Sequence, residues 1–239
     1  MIKAVILAAG KGTRMKSDKP KVVHQVMGRP MVHYSIKAAK DAGADKVCVI
    51  VGYKADEVKA VIDEEVSYAL QEEQLGTGHA VKCAADFIGN EGDVIILCGD
   101  TPLVTGETLK KALWGHRRNG NGVTVISAIL DDPFGYGRII RDENGLARIV
   151  EQKDADEEEQ KVCEVNSGMY VFNCSALLKA LDMISNDNAQ GEYYLPDTIE
   201  IIKNMGMRVD AVPMDNANEI LGVNTLEQLK AAEDIMKER

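Results

Sequence analysis

Apolar residues in the first half of the chain come in short unbroken runs. Residues 2–7 (IKAVIL), 46–51 (KVCVIV) and 93–98 (DVIILC) are such runs, and 67–70 (SYAL) is a shorter one. A strand that is apolar at successive positions has both faces buried, as in a parallel sheet covered by helices on each side. Between the runs, apolar positions recur at helical spacing and predict helices over residues 55–64, 78–87 and 106–117. Strand and helix in alternation predict an α/β, Rossmann-like fold with a mostly parallel central sheet flanked by helices. In such sheets ligands sit at the carboxyl ends of the strands. The first run ends at Ala8-Ala9-Gly10, and the run at 93–98 ends at Gly99-Asp100.

The pattern changes after Val123. Residues 122–129 and 165–172 read as strands, and 138–141 with 147–150 flank Asp142-Glu143-Asn144-Gly145 as a hairpin. This half is more β-rich and is assigned the smaller, ligand-specific part. Residues 225–239 read as a packing helix. The expected organisation is one domain over 1–239, with parts at 1–120, 121–224 and 225–239.

Composition narrows the chemistry. The formal charge is −10 in 239 residues, which argues against a general binder of nucleic acid or of anionic membranes. Five scattered cysteines (Cys48, Cys83, Cys98, Cys163, Cys174) form no C-x-x-C pair, so neither a disulfide framework nor a zinc site is expected, and a reducing cytoplasm fits. The N-terminal run carries Lys3 and leads into a loop rather than a cleavage site, so it does not read as a signal peptide. No run approaches the ~20 residues of a membrane span. The four histidines show no metal spacing, and the acidic run at 154–159 reads as a solvated loop or helix start.

Against this acidic background, residues 7–21 read LAAGKGTRMKSDKPK, and residues 11–21 hold five basic side chains to one acidic. Small residues and glycines let backbone N–H groups approach an anion closely. A Walker A loop requires Ser or Thr after Gly-Lys, but Gly12 follows Lys11. The dinucleotide fingerprint requires a third glycine where Met15 stands. An ordinary glycine-rich turn would explain the glycines but not Arg14 and Lys21 beside Pro20. The loop therefore reads as a phosphate cradle of a third kind.

L-A-A-G-x-G-T-R-M followed by x-x-x-x-P-K resembles the opening motif of the sugar nucleotidyltransferases. LQEEQLGTGHA at 70–80 and NAQGEYY at 188–194 are similar to the uridylyltransferase half of the bacterial bifunctional N-acetylglucosamine-1-phosphate uridylyltransferase/glucosamine-1-phosphate acetyltransferases. The resemblance runs from Ile2 to about Asn224. It implies Mg2+-dependent transfer of UMP from UTP to N-acetyl-α-D-glucosamine 1-phosphate. The same chemistry on another hexose 1-phosphate is the alternative, and a non-catalytic UDP-sugar sensor is the reading from another class. Oligomeric state is left open. Those bifunctional proteins also carry a hexapeptide-repeat β-helix, which is missing from residues 1–239, so acetyl transfer is not expected of this chain.

The resemblance also distributes roles. Arg14 is expected on the β- and γ-phosphates, Lys21 on the transferring phosphates, and Asp100 with Asn224 on Mg2+. From the residues alone, Asp100 reads equally as a turn or cap residue, and Asn224 as the cap of the final helix. Leu7, Ala8, Ala9, Gly10, Cys98 and Gly99 are expected to line the nucleotide site. Gln71, Gly76 and Thr77 are implied in base recognition, since an amide can both donate to and accept from a uracil edge. Gly137, Glu151, Asn166 and Asn224 are the expected sugar contacts. The Tyr193-Tyr194 pair reads as core packing.

Overall fold

The structure is a computed structural model, which describes residues 1–15 and 17–238. Lys16, expected to be exposed or to set the local field, lies outside the described residues. In chain order the main elements are β1 (Ile2–Ala8), the small hairpin β2 (Gln25–Val26) and β3 (Arg29–Pro30), α1 (Met31–Asp41), β4 (Lys46–Val51), α2 (Ala55–Ala60), β5 (Ser67–Leu70), α3 (Thr77–Cys83), α4 (Ala85–Ile88), β6 (Asp93–Cys98) and α5 (Gly106–Asn119). There follow β7 (Asn121–Ile129), β8 (Arg138–Asp142), β9 (Gly145–Val150), β10 (Glu164–Asn173), α6 (Cys174–Leu181), α7 (Asp197–Asn204), β11 (Arg208–Pro213) and α8 (Leu226–Lys237).

One sheet runs through both halves in the order β11-β7-β10-β6-β1-β4-β5, with the β8-β9 hairpin attached to β10. Strands β6, β1, β4 and β5 are mutually parallel. Strand β10 is wedged antiparallel between β6 and β7, and joins the nucleotide-type half to the β-rich half. The continuous apolar runs have the expected consequence. Successive residues of β1 and β6 go to opposite faces: Val5 and Ile96 pack with residues of α3, α6 and α7, whereas Ile6 and Leu97 pack with α1 and α5. All four are fully buried.

Two predicted helices are shorter or broken. The helix expected over 55–64 ends at Ala60, because the Val61 carbonyl and the Glu64 carboxylate turn to the ring of His33, at 2.7 and 2.8 Å. The helix expected over 78–87 splits at Ala84 (φ −98°, ψ 15°), and Ala80, Val81, Ala84 and Ile88 stay in one core across the break. The final helix is capped by the Thr225 hydroxyl, which accepts from the Gln228 N–H, and not by Asn224. Likewise α5 is capped by Thr105, so Asp100 is no cap. Among the described residues no helix is long and apolar enough to cross a membrane.

Candidate active site

Strand ends build the site. Beyond β1 the chain stays in sheet register, with the Tyr53 N–H donating to the Ala9 carbonyl and the Gly99 N–H to the Leu7 carbonyl. These bonds bring residues 8–10 together with the ends of β4 and β6. The loop then doubles back at Gly12 (φ +67°), where a Cβ would stand 2.5 Å from the Lys21 Cβ. Gly12 is thus glycine for the sake of the chain, and its turn holds Lys21 over the site. Gly10 differs: its φ is not positive and a Cβ there would meet nothing within 4 Å. No packing demand of the protein explains that glycine, and the space beside it belongs to a cavity.

Four polar side chains converge at the mouth of this loop. The Lys21 ammonium donates to Asp100 Oδ2 as an ion pair and to Asn224 Oδ1 at 2.8 Å; an Arg14 guanidinium nitrogen donates to the same Asn224 oxygen at 2.9 Å. Lys21 and Asp100 are largely shielded, with side chains 18% and 16% exposed. Asn224 is brought in from far along the chain by the Val223 N–H, which donates to the Asp100 carbonyl at 2.9 Å. Its amide nitrogen is turned to the Gly222 carbonyl, which leaves Oδ1 aimed at the cations. A carboxylate oxygen and an amide oxygen converging on one positive charge are also a fitting donor pair for a hard divalent cation. The ammonium of Lys21 occupies that position here.

Two cavities meet above β1 and β6 and share Leu7, Thr77 and Cys98 as a common wall. The first, about 290 Å3, is lined by Ala8, Ala9, Gly10, Lys21, Gln71, Gly76 and Asp100 among others. The second, about 210 Å3, is lined by Gly137, Glu151, Asn166, Gly168 and Tyr170 among others. The sequence-expected nucleotide set is therefore gathered on one side, except Gly99, which backs onto Leu7 and Val22 rather than facing the space. Gly137, Glu151 and Asn166 are gathered on the other. Asn224 is not in the second cavity; the fold places it with Asp100 and the two cations. The Thr77 hydroxyl accepts the Leu195 N–H at 3.0 Å, which ties the turn at 76–78 to the segment before α7.

The second cavity owes its shape to a bulge. The register of β10 against β7 slips between Asn166 and Met169, with Gly168 at φ +74°. A glycine inside a strand is the sequence sign of such a bulge. It turns the Asn166 amide inward, donating to the Tyr170 hydroxyl at 2.7 Å and accepting from the Gly168 N–H. Tyr170 was not singled out in the sequence, and neither was His79, which lies 3.1 Å from the Gln71 amide nitrogen. The charged side chain in the lining of this cavity is Glu151. Burial, with Asp154 and Asp197 nearby, raises the Glu151 carboxyl above the usual range, and burial together with Asp154 and Glu200 pushes Asp197 up to about 6. On the common wall, burial pushes the Cys98 thiol up to about 12.

A cluster of potential metal ligands, His33, Asp63 and Glu64, lies apart from both cavities. Both ring nitrogens of His33 face oxygen atoms of Val61 and Glu64, so the ring serves as a clasp between α1 and the segment after α2.

With this geometry in hand, the chain can be compared with known proteins. The sequence model of the nucleotidyl transferases matches residues 3–218. The chain belongs to the nucleotidyl transferase family. It is 55% identical over 237 residues to the bifunctional protein GlmU of Caldanaerobacter subterraneus subsp. tengcongensis, and 51% identical over 238 residues to that of Bacillus subtilis. Each alignment covers 99% of this chain and 52% of the relative, so the chain spans about half the length of the curated relatives it matches. A solved structure assigned as a glucose-1-phosphate thymidylyltransferase of Bacillus anthracis, in complex with a sucrose, superposes with a TM-score of 0.82 over 100% of this chain and 96% of its own, at 18% identity. That likeness is one of fold. It extends over the whole chain, the antiparallel β10 that the apolar runs did not foretell included.

Proposed function

We propose that the chain transfers UMP from UTP to N-acetyl-α-D-glucosamine 1-phosphate, giving UDP-N-acetylglucosamine and diphosphate. The observation that carries this reading is the convergence of Lys21, Arg14, Asp100 and Asn224 beside two contiguous cavities, one lined by the glycine-rich loop and Gln71, the other by sugar-type polar groups. The half-length match to the bifunctional proteins, together with the motifs at residues 7–21, 70–80 and 188–194, favours uridylyl transfer and the N-acetylhexosamine acceptor.

The reaction asks for positioning and charge neutralisation rather than covalent help. An ionised oxygen of the sugar phosphate attacks the α-phosphorus of UTP. The bond from that phosphorus to the bridging oxygen breaks, and diphosphate leaves with the electron pair. The nucleophile is already an anion, so no general base is needed. The glycine-rich loop offers backbone N–H groups, and Arg14 suits the departing phosphates through its forked donors. Lys21 serves the transferring phosphate, where its charge offsets the crowding of negative oxygens. Asp100 and Asn224 would hold Mg2+, which supplies further charge neutralisation at the phosphate oxygens when bound. On the acceptor side, Glu151 and the Asn166 amide hold hydroxyl and acetamido groups. The five unpaired cysteines support a cytoplasmic setting for this enzyme.

The test is diphosphate release from UTP with Mg2+ and N-acetylglucosamine 1-phosphate, run beside glucose and N-acetylgalactosamine 1-phosphates. The reading requires a clear preference for the first sugar. Preference for another would retain the chemistry and move the acceptor, and no release with any of them would overturn it.

A further inference from the structure

Gln71 is 3% exposed, and its amide nitrogen has two partners inside the protein. It donates to the Gly76 carbonyl at 3.1 Å and lies 3.1 Å from Nδ1 of His79. A carbonyl oxygen only accepts, so the atom facing Gly76 is the amide nitrogen, and the orientation of the whole amide follows. The second N–H then requires the lone pair of Nδ1, which places the ring proton of His79 on Nε2. Both N–H groups of Gln71 are consumed, so the amide is left to accept from a base edge and not, as expected from the sequence, also to donate to it. The remaining atom, Oε1, has no protein donor among the described residues and is not one of the buried side-chain atoms left without a partner. It opens on the 290 Å3 cavity.

His79 is held rigidly where it does this. It is the third residue of α3, and the start of that helix is pinned to the segment before α7. The Gly78 N–H donates to the Tyr193 carbonyl at 2.8 Å, and the Tyr193 N–H to the Leu75 carbonyl at 2.9 Å. A Cβ on Gly76 or Gly78 would stand 2.6 or 3.0 Å from that Tyr193 oxygen, so the turn and α3 cannot shift independently of it. The imidazole also lines a separate cavity with Leu75, Lys82, Cys83, Asp182 and Ile184.

We propose that His79 is a positioning residue for nucleobase selection: it locks the Gln71 amide so that the pocket meets the base with an acceptor. The inference rests on the uridylyl-transfer reading above. An acceptor at that place suits a pyrimidine whose ring N3 carries a proton, as uracil does. Cytosine presents a lone pair at N3, and two acceptors face to face repel. Rotating the amide to suit cytosine would set Oε1 against the Gly76 carbonyl and would also require the His79 ring to move its proton from Nε2 to Nδ1. A buried site whose polarity is fixed in this way discriminates more strongly than one whose amide can turn.

The experiment compares kcat/KM for UTP and CTP in the wild-type chain, His79→Leu and His79→Asn, with folding checked by thermal melting. Leucine removes the acceptor; asparagine offers Oδ1 near the place of Nδ1. We expect His79→Leu to lower kcat/KM for UTP by about 10- to 30-fold while the CTP value moves by less than about threefold, so that the ratio drops roughly tenfold. His79→Asn should recover most of that ratio. Equal losses on both nucleotides, an unchanged ratio, or an asparagine no better than leucine would each overturn the proposal. A second measurement needs no variant. 15N NMR of the wild-type ring should show Nε2 protonated and Nδ1 bare, and a proton on Nδ1 would overturn the lock even if His79→Leu did not fold. If the wild-type chain turns over no nucleotide at all, the functional reading fails, while the tautomer still decides whether His79 holds the amide.

Discussion

The two halves of the site are built on opposite electrostatic plans. On the nucleotide side, Lys21 and Arg14 stand over a loop with small side chains, and of the two carboxylates that line the cavity, Asp100 and Glu192, Asp100 is paired with Lys21. On the sugar side, the charged residue lining the cavity is an acid, Glu151, and burial holds it and Asp197 above their usual carboxylate range although the buried Arg138 nearby opposes the shift at Glu151. The first side is suited to attract a polyanion before anything is bound. The second is suited to grip hydroxyls with acceptors, and its acids repel a phosphate that enters the wrong way round. A reaction that joins two phosphate compounds needs such an asymmetry to orient each of them.

The largest test of this contrast is Lys21→Ala. Removing the ammonium should lower kcat about 10^3-fold, in line with the loss of one donor aimed at developing charge. The melting curve should remain cooperative, and near-normal kcat would refute the role given to Lys21. A finer test separates two glycines of one loop. Gly12→Ala forces a Cβ onto Lys21 at a positive φ, so turnover should fall about 10^2-fold and stability by about 1 kcal/mol. Gly10→Ala meets no protein atom and should leave the melt unchanged, yet raise KM for UTP several-fold. If both variants behaved alike, the distinction between chain-serving and ligand-serving glycines would be lost.

On the acid side, Glu151→Gln should raise KM for the sugar phosphate about tenfold, one charge-assisted hydrogen bond's worth, and leave KM for UTP within about twofold. An equal effect on both substrates would mean that the cavities are not separate subsites.

The halves also differ in how far the chain reveals them. Strands β4, β5 and β6 have the predicted bounds: β4 and β6 are buried on both faces and write themselves as unbroken apolar runs, whereas β5 is a short, largely exposed edge strand. The β8-β9 hairpin was legible from its Asn144-Gly145 turn. The placement of β10 was not, since an apolar run does not state which neighbour it pairs with or in which direction. Nor were α1, α6 and β11 predicted. Within the site, the loop at 7–21 is contiguous, and its chemistry could be read locally. Asn224 reaches Lys21 across 203 residues, and only the motif pointed to it. His79 is different again: it stood inside a motif that was read, but its contact with Gln71 depends on the rotation of α3, which spacing does not give. Thr225, not Asn224, caps α8, because either of two adjacent side chains could accept the N–H and only the backbone geometry chooses.

The smallest predicted effect concerns stability on the acid side. Asp197 begins α7, where the helix dipole favours its anion, yet burial with Asp154 and Glu200 pushes its carboxyl up from 3.8 to about 6. Between those two values the folded chain keeps a proton that the unfolded chain has released. Stability therefore falls as pH rises through this window, and the loss is complete above it. Asp197→Asn has no proton to exchange, so its stability should vary less between pH 4 and 6, and at pH 7.5 it should melt a few degrees above the wild type. Glu151, displaced in the same direction, keeps part of the slope in the variant. The difference between wild type and variant therefore reports on the Asp197 carboxyl. Parallel pH profiles for the two would mean that Asp197 is as well solvated folded as unfolded, and that the electrostatic cost of the sugar half is carried by Glu151 alone.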